Sequence, residues 1–311
     1  MATSYTLTNL DSKLKNYLSA NKDQLISNAI FNSKSSKLFT LQTGVKNPTA
    51  IVRLDTSINL ADGKACGFSA TDADVFSNRI LTPEFLKLNK QYCAKDFLNT
   101  WKASDIRMAA TSENGGMPFE EEIINKNIEA LGAVVEKMLW QGDKTNGSGN
   151  MALMDGLTTI MSSEITSGAI PAANVIAKST DNVYTRVEKL WKALPANIAD
   201  KCTIVMSVSN YKDLIVELAN SNYFHIFETY EGEYRMRLPF ANIDVRGIEG
   251  LEGMDWIIAM PLDEVYYGVD AENDQEDVDL FYDQAARLFK LVIEFAVAVN
   301  YVFPENVFIN K

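Results

Sequence analysis

The chain contains one histidine, His225, in 311 residues. Any Ser-His-Asp or Cys-His mechanism would have to use it, because the base must be a titratable group of suitable pKa. His225 stands among Tyr223, Phe224, Phe227 and Tyr230, and no Gly-x-Ser-x-Gly elbow occurs, so it reads as a structural or surface histidine. Cysteine is almost as scarce. Cys66, Cys93 and Cys202 are odd in number, widely spaced and form no Cys-x-x-Cys pair. They read as free thiols in a reducing compartment, which excludes a disulfide framework and leaves a zinc site without support. No apolar run approaches the ~20 residues that cross a bilayer. The opening MATSYTLTNLDSK lacks the basic and apolar regions of a secretory signal. Positive charge is also in deficit, with a net charge of −12. A dedicated nucleic-acid binder would carry a basic stripe. An acidic surface, by contrast, can touch nucleic acid without gripping it. No repeat is visible at periods of about 20–50 residues.

What is present is ordinary globular material, 47% apolar and 23% charged, long enough for one large or two smaller cores. The chain is organised around 118–156. Phe119, Ile123, Ile124, Ile128, Leu131, Val134, Val135, Met138 and Leu139 recur at spacings of three and four, predicting a long amphipathic helix over 118–141. Pro118 suits the first helical position, and Glu120, Glu121 and Glu122 suit the first turn, where the helix dipole favours negative charge. That placement explains the three carboxylates without assigning them acid–base work. Gly142 is suited to a left-handed C-cap. A polar, glycine-rich flexible loop follows, then Asp155-Gly156 and an apolar restart at Leu157.

Before this helix, 1–47 reads as an arm. Asp11 caps a helix to about Ile30, with Leu14, Leu18, Leu25, Ile26 and Ile30 on its apolar side, and Asn32 to Lys37 is a polar connector. Its bland reading is a loosely docked helix, and its sharper reading a segment that docks on a neighbouring subunit. Residues 48–82 predict a β-hairpin, with alternation at Ala50 to Leu54 and at Asp74 to Leu81, and turn chemistry at Asp62-Gly63-Lys64 and Cys66-Gly67-Phe68. A two-stranded ribbon is marginal by itself in water and needs a partner surface. Thr82-Pro83-Glu84 signals a short helical region anchored by Phe85, Leu86, Leu88, Tyr92, Phe97, Leu98 and Trp101, with a break at Asn114-Gly115-Gly116.

After the helix, Thr158 to Ile176 reads as a mixed loop. A helix capped by Asp181 carries Val183, Val187, Leu190, Trp191 and Leu194. Cys202 to Met206 is a buried strand, and Ser209 caps a helix with Tyr211, Leu214, Ile215 and Leu218. Three strands follow at Ile243 to Val245, Trp256 to Ala259 and Val265 to Val269. In the last block Phe289, Leu291, Ile293, Phe295, Val297, Val299, Tyr301 and Phe303 alternate with Lys290, Val292, Glu294, Ala296, Ala298 and Asn300. Such a run exceeds the usual strand length of ~5–6 residues. Its aromatics are core, since Lys290 is the only basic residue beside them and base-stacking platforms come with basic neighbours.

Two motifs fail on inspection. Gly142 to Ser148 has a Gly-x-x-x-x-Gly spacing, but it follows a helix and continues Ser148-Gly149, whereas a phosphate-binding loop follows a strand and continues with Lys. Asp270, Glu272, Asp274, Glu276, Asp277 and Asp279 crowd six carboxylates together, but an EF-hand would require Gly at Gln275 and Glu at Phe281. A solvated hairpin tip or an inter-subunit charge contact is the better reading than a metal site. No catalytic, cofactor-binding or metal-binding residue is assigned.

A long helix that exits through Trp140-Gln141-Gly142-Asp143, a loop, and a return at Asp155-Gly156-Leu157 resemble the major capsid proteins of tailed phages with the HK97-like fold. Here Met154-Asp155 stands where that family has a proline before the second glycine. The strand, cap and helix at 202–218, the Leu238-Pro239-Phe240 approach to a strand and the Pro304 to Ile309 ending resemble the family too. The resemblance covers about residue 48 to the end. It implies an α+β subunit with an N-terminal arm (1–47), an extended loop (48–82), a peripheral domain (83–156 and 269–311) built on the spine helix, and an axial domain (157–268). It implies self-assembly through hexamers and pentamers into an icosahedral shell enclosing double-stranded DNA without sequence-specific binding. A separate scaffolding protein, a portal and decoration proteins are the implied partners, with no membrane. The family often carries a scaffolding segment before the arm. With only 47 residues before the hairpin, the resemblance implies either that any scaffold is a separate protein or that the chain is already processed, and Met1 favours the first. The location implied is the virion, assembled in the bacterial cytoplasm. In some members a lysine–asparagine crosslink forms. Lys64 sits in the corresponding loop, with no pairing identified. An encapsulin-type compartment is the related alternative, and a soluble enzyme using carboxylates the remoter one.

Overall fold

The computed structural model describes residues 33–56, 58, 74–93, 119–178, 180–221, 234–238, 241, 243–270, 277–286 and 288–311. The expected arm helix, the hairpin turns with Lys64 and Cys66, Phe97, Leu98 and Trp101, the 114–116 break, Pro118, the aromatic segment around His225, Pro239-Phe240, and Glu272, Asp274 and Glu276 lie outside the described residues. So do the side chains of Glu120, Glu121 and Glu122.

In chain order the elements are β1 (Thr40–Gln42), β2 (Thr49–Asp55), β3 (Val75–Leu81), β4 (Glu84–Cys93), α1 (Phe119–Gln141), α2 (Leu157–Ser167), β5 (Val175–Ile176), α3 (Val183–Ala193), β6 (Thr203–Ser207), α4 (Val208–Asn220), β7 (Arg235–Arg237), β8 (Asp244–Ile248), β9 (Ile257–Met260), β10 (Val265–Val269), β11 (Asp277–Asp283), β12 (Leu288–Tyr301) and β13 (Phe308–Asn310).

The alternation at the C-terminal end produces β12, with 14 residues the longest strand among the described residues. Leu291, Ile293, Phe295, Val297, Val299 and Tyr301 are buried on one of its faces, together with Ile128, Val135, Met138 and Leu139 of the spine helix α1. Ala296 and Ala298, on the other face, are buried as well. β4 pairs along β12 from Leu288↔Cys93 to Val297↔Glu84. On the opposite side, β10 pairs with Val297 to Tyr301 and β11 with Leu288 to Glu294. Both run antiparallel to β12, so they form one line of strand interrupted between Val269 and Asp277. There β12 contributes only Phe295 and Ala296, while the interrupted side contributes 270–276.

Two sequence expectations are corrected in this layer. The region from Thr82 is strand β4 rather than helix. Leu86, Leu88 and Tyr92 fall at even spacing and pack on the α1 core, a period that outweighs the Thr-Pro-Glu start signal. The segment after Gly156 is helix α2 rather than a mixed loop, closed by Gly168 at φ 80°. Its run of Ser and Thr hides the buried Leu157 and Met161. The hydroxyls serve the spine helix instead: Thr158 Oγ1 donates to Trp140 O and Thr159 Oγ1 to Gly142 O, both at 2.6 Å. The first satisfies a carbonyl that the end of α1 would otherwise leave open, and the second adds to the Gly142 carbonyl that the Gly156 N–H also reaches.

The second sheet runs β5-β13-β9-β6-β8-β7, with α3 and α4 packed against it. The helix caps shift from the expected positions. Asn182, not Asp181, accepts the Thr185 N–H at 3.0 Å, because Asp181 is turned toward Lys189. Ser207, not Ser209, caps α4, and Ser209 bonds Glu252 instead. Arg186, 3% exposed, ties α3 to the sheet. It donates to Asn310 Oδ1 at 2.6 Å, Asp255 Oδ1 at 2.7 Å and Asp255 O at 2.8 Å. Burial pushes the Asp255 carboxyl up, but hydrogen bonds from Arg186, Lys178 and Asn210 outweigh it and bring it down to about 2. Arg186→Ala is expected to destabilise the chain by about 3 kcal/mol, since a hydrogen bond to a charged group is worth roughly 1.5–3 kcal/mol. The readout is the thermal midpoint. The lowered Asp255 value contributes stability above its unfolded value that is lost as pH falls toward 2. The variant should therefore show a shallower loss of stability over that acid range.

Candidate functional site

The ribbon β2–β3 pairs from Thr49↔Leu81 to Asp55↔Val75, as its alternation predicts. Residues opposite one another in an antiparallel pair share a face. Ile51, Arg53, Arg79 and Leu81 therefore lie on one face and Ala50, Val52, Leu54, Phe76, Asn78 and Ile80 on the other. The first face is the anchor. Ile51 and Leu81 join Val45, Ala298 and Val302 in a small core. Gly268 leaves room for Leu81, whose Cδ2 would stand 2.6 Å from a Cβ there.

Two arginines fix the root of the ribbon. Arg53 donates both terminal nitrogens to Glu305, one at 2.9 Å to Oε2, and lies 4.7 Å over the Phe303 ring. Arg79 pairs with Glu164, donates to Asn300 Oδ1 at 3.0 Å and lies 4.7 Å over the Tyr301 ring. Tyr301 also donates its hydroxyl to Glu164. Burial first, and then the Glu164 carboxylate, push that hydroxyl well up. The second face has no such cover. Val52 is 68% exposed, Phe76 71% and Ile80 57%. A contiguous exposed apolar face marks an interaction surface.

The junction at the end of α1 is the other built feature. Gly142 and Gly156 meet backbone to backbone, Gly156 N–H donating to Gly142 O at 2.8 Å. A Cβ on Gly142 would stand 2.4 Å from Met154 O, and one on Gly156 2.6 Å from Met138 O. Gly142 is not among the described glycines with positive φ. Close approach, rather than the expected left-handed cap, is what demands a glycine there. The loop between them is a hydrogen-bonded turn. Asp143 accepts from the amides of Thr145 and Asn146 at 2.8 Å, and its own N–H donates to Met151 O at 2.7 Å. Those amides, which a phosphate would need, already hold a carboxylate.

The serines of the expected polar connector are buried, while Lys34 and Lys37 are exposed. Ser33, Ser35 and Ser36 are at most 4% exposed and sit on the spine helix. Trp140 Nε1 donates to Ser35 Oγ at 2.8 Å, and the rings of Phe39 and Trp140 lie 5.9 Å apart. β1 then pairs in parallel with β10. Nothing local in a serine-rich stretch signals this, because its partners lie about a hundred residues away. Of the acidic run, Asp279 is exposed, whereas Asp270 is fully buried, which excludes it from a solvated tip. Among the described residues no group of three metal-ligating side chains comes together. Cys93 and Cys202 are free thiols, and burial pushes Cys202 up to about 12. No described helix is long and apolar enough to cross a membrane.

The spine helix beside a long-stranded sheet, the clamped ribbon and the second sheet with its two helices constitute the HK97-like capsid fold. No protein-family model and no curated protein matches the chain. Among solved structures it is similar to a chain of the satellite phage P4 procapsid including size determination (Sid) protein, at 10% identity over 98% of both chains with a TM-score of 0.61. Microbacterium phage Oxtober96 matches at 14% identity over 90% of each chain, with a TM-score of 0.53. The holo-SrpI encapsulin complex of Synechococcus elongatus PCC 7942 matches at 8% identity over 88% of this chain and 85% of that one, with a TM-score of 0.55.

Proposed function

We propose that this chain is a major capsid protein of a tailed phage, a subunit that self-assembles into an icosahedral shell around double-stranded DNA. The observation that carries the reading is the apolar face of the ribbon, anchored at its root by Arg53 and Arg79 and left uncovered at Val52, Leu54, Phe76 and Ile80. Its occupant is a second copy of the chain. Closed symmetry repeats one such contact many times, so each can be modest. The similarity to chains from a phage procapsid supports the same reading.

In this proposal the chain is not an enzyme. Its work is association through hexamers and pentamers, and its partners are a separate scaffolding protein, a portal and decoration proteins. Its place is the virion, after assembly in the bacterial cytoplasm. The domains are the arm (1–47), extended loop (48–82), peripheral domain (83–156 and 269–311) and axial domain (157–268). The similarity to an encapsulin complex keeps a cargo-holding compartment as the second reading.

Negative-stain electron microscopy of the full chain, alone and co-expressed with its genomic neighbours, tests this. Polyhedral shells or penton- and hexon-like rings are expected. A monodisperse monomer under every condition sinks the shell reading, and shells that retain a protein cargo favour the compartment.

A further inference from the structure

Glu136, on the spine helix, is 3% exposed, and its hydrogen-bond partners come from the root of the arm, Ser35 above all, with Ser33 beside it. Its Oε2 accepts the Ser35 N–H at 2.9 Å and its Oε1 the Ser35 hydroxyl at 2.5 Å. Trp140 completes the chain of donors through Ser35 Oγ. Among the described residues Glu136 forms no ion pair. The charged groups on the elements packed here are Lys34 and Lys37 on the arm, Glu249 on the 249–251 turn and Lys137 on the helix itself. Lys34 is engaged by Glu249 at 2.6 Å, and Lys37 and Lys137 are exposed.

A carboxylate buried without a cation is far less favourable than one in water. Ser35 holds both oxygens of the Glu136 carboxylate, so lifting the arm root off frees them for water. Docking of the arm and proton uptake by this carboxyl are then linked. We propose that Glu136 is a proton-linked latch, with the arm root held most firmly on the spine helix when Glu136 is protonated and released more readily when it is ionised. The protonated acid keeps one oxygen for the Ser35 N–H. It turns its O–H on Ser35 Oγ, which has a lone pair beside that used by Trp140.

Burial pushes the Glu136 carboxyl up, and the hydrogen bonds from Ser35 and Ser33 oppose this without cancelling it. The sign follows. A carboxyl raised in the docked form favours docking below its docked value, and that contribution fades as pH rises through it.

Hydrogen exchange on the full chain, read as protection factors of the Ser35 to Gln42 amides from about pH 5 to about pH 8, tests the latch. In the wild type, protection is expected to fall with rising pH, by at most about tenfold per unit. Glu136→Gln should give a flat profile. Lys34→Ala, which breaks the exposed pair, should keep the slope. A flat wild-type profile, or the same slope in Glu136→Gln, overturns the proposal, and so does a slope lost only in Lys34→Ala. If Glu136→Gln does not fold, Ser35→Ala substitutes for it. Weaker protection with the slope retained supports the latch, and unchanged protection overturns it. Shell formation is not read, so this result and the microscopy stand or fall separately.

Discussion

A subunit carrying Val52→Asp and Phe76→Asp folds normally and forms no shells. Both positions lie on the open face of the ribbon, 68% and 71% exposed, so the isolated chain loses no core contact and its thermal midpoint should stay within experimental error. At the contact with a second copy the effect is large. Burying a Val or Phe side chain is worth roughly 1.5–3 kcal/mol. The pair together then removes about 3–6 kcal/mol per contact before any penalty for burying carboxylates. At 1.4 kcal/mol per tenfold, that is about a hundredfold or more in affinity. Sedimentation and electron microscopy at the concentration where the wild type assembles provide the readout. Wild-type shells from the double variant would mean that the ribbon face is not the contact.

Gly156→Ala acts in the opposite way, striking the fold and leaving every surface intact. The added methyl would lie 2.6 Å from Met138 O and 2.7 Å from both Gly142 N and Trp140 C. All three are backbone atoms, so no side chain can swing aside. Overpacking a tight site costs about 1–3 kcal/mol when neighbours can adjust, and here the spine helix and α2 would have to separate. A loss above about 3 kcal/mol, or insoluble protein, is expected. Gly149→Ala is the control. Its φ is +59°, with nothing within 4 Å of the added carbon. It should lose only about 1–2 kcal/mol, the penalty for a left-handed residue. Equal effects from the two variants would show that close approach is not what the junction needs.

Periodicity made the spine helix, the ribbon and β12 legible, because each is long and keeps one period throughout. β4 was obscured by a helix-start signal at its head, although Leu86, Leu88 and Tyr92 carry the period of a strand. α2 was obscured by composition. Its hydroxyl-bearing residues read as loop until the open carbonyls of α1 are seen beside them. Arg53 and Arg79 fall inside the alternating stretches of the extended loop without any mark of their own. Their role depends on Phe303, Tyr301, Glu164 and Glu305, which no local pattern connects to the ribbon. The same holds for Ser35, Glu136 and Trp140, where a serine-rich connector and a helix meet only in three dimensions.

The interrupted strand has a consequence for how this subunit can change over time. Val269 and Asp277 rejoin the β12 ladder only three positions apart, at Val297 and Glu294. A segment inserted between such closely spaced anchors passes its length to no other part of the sheet. The six residues between Asp270 and Asp277 can therefore lengthen, shorten or exchange sequence while β10, β11 and β12 keep their register. The chain thus has a natural splice point at which new peptides can be acquired, or grafted by design, without renegotiating the register of the sheet.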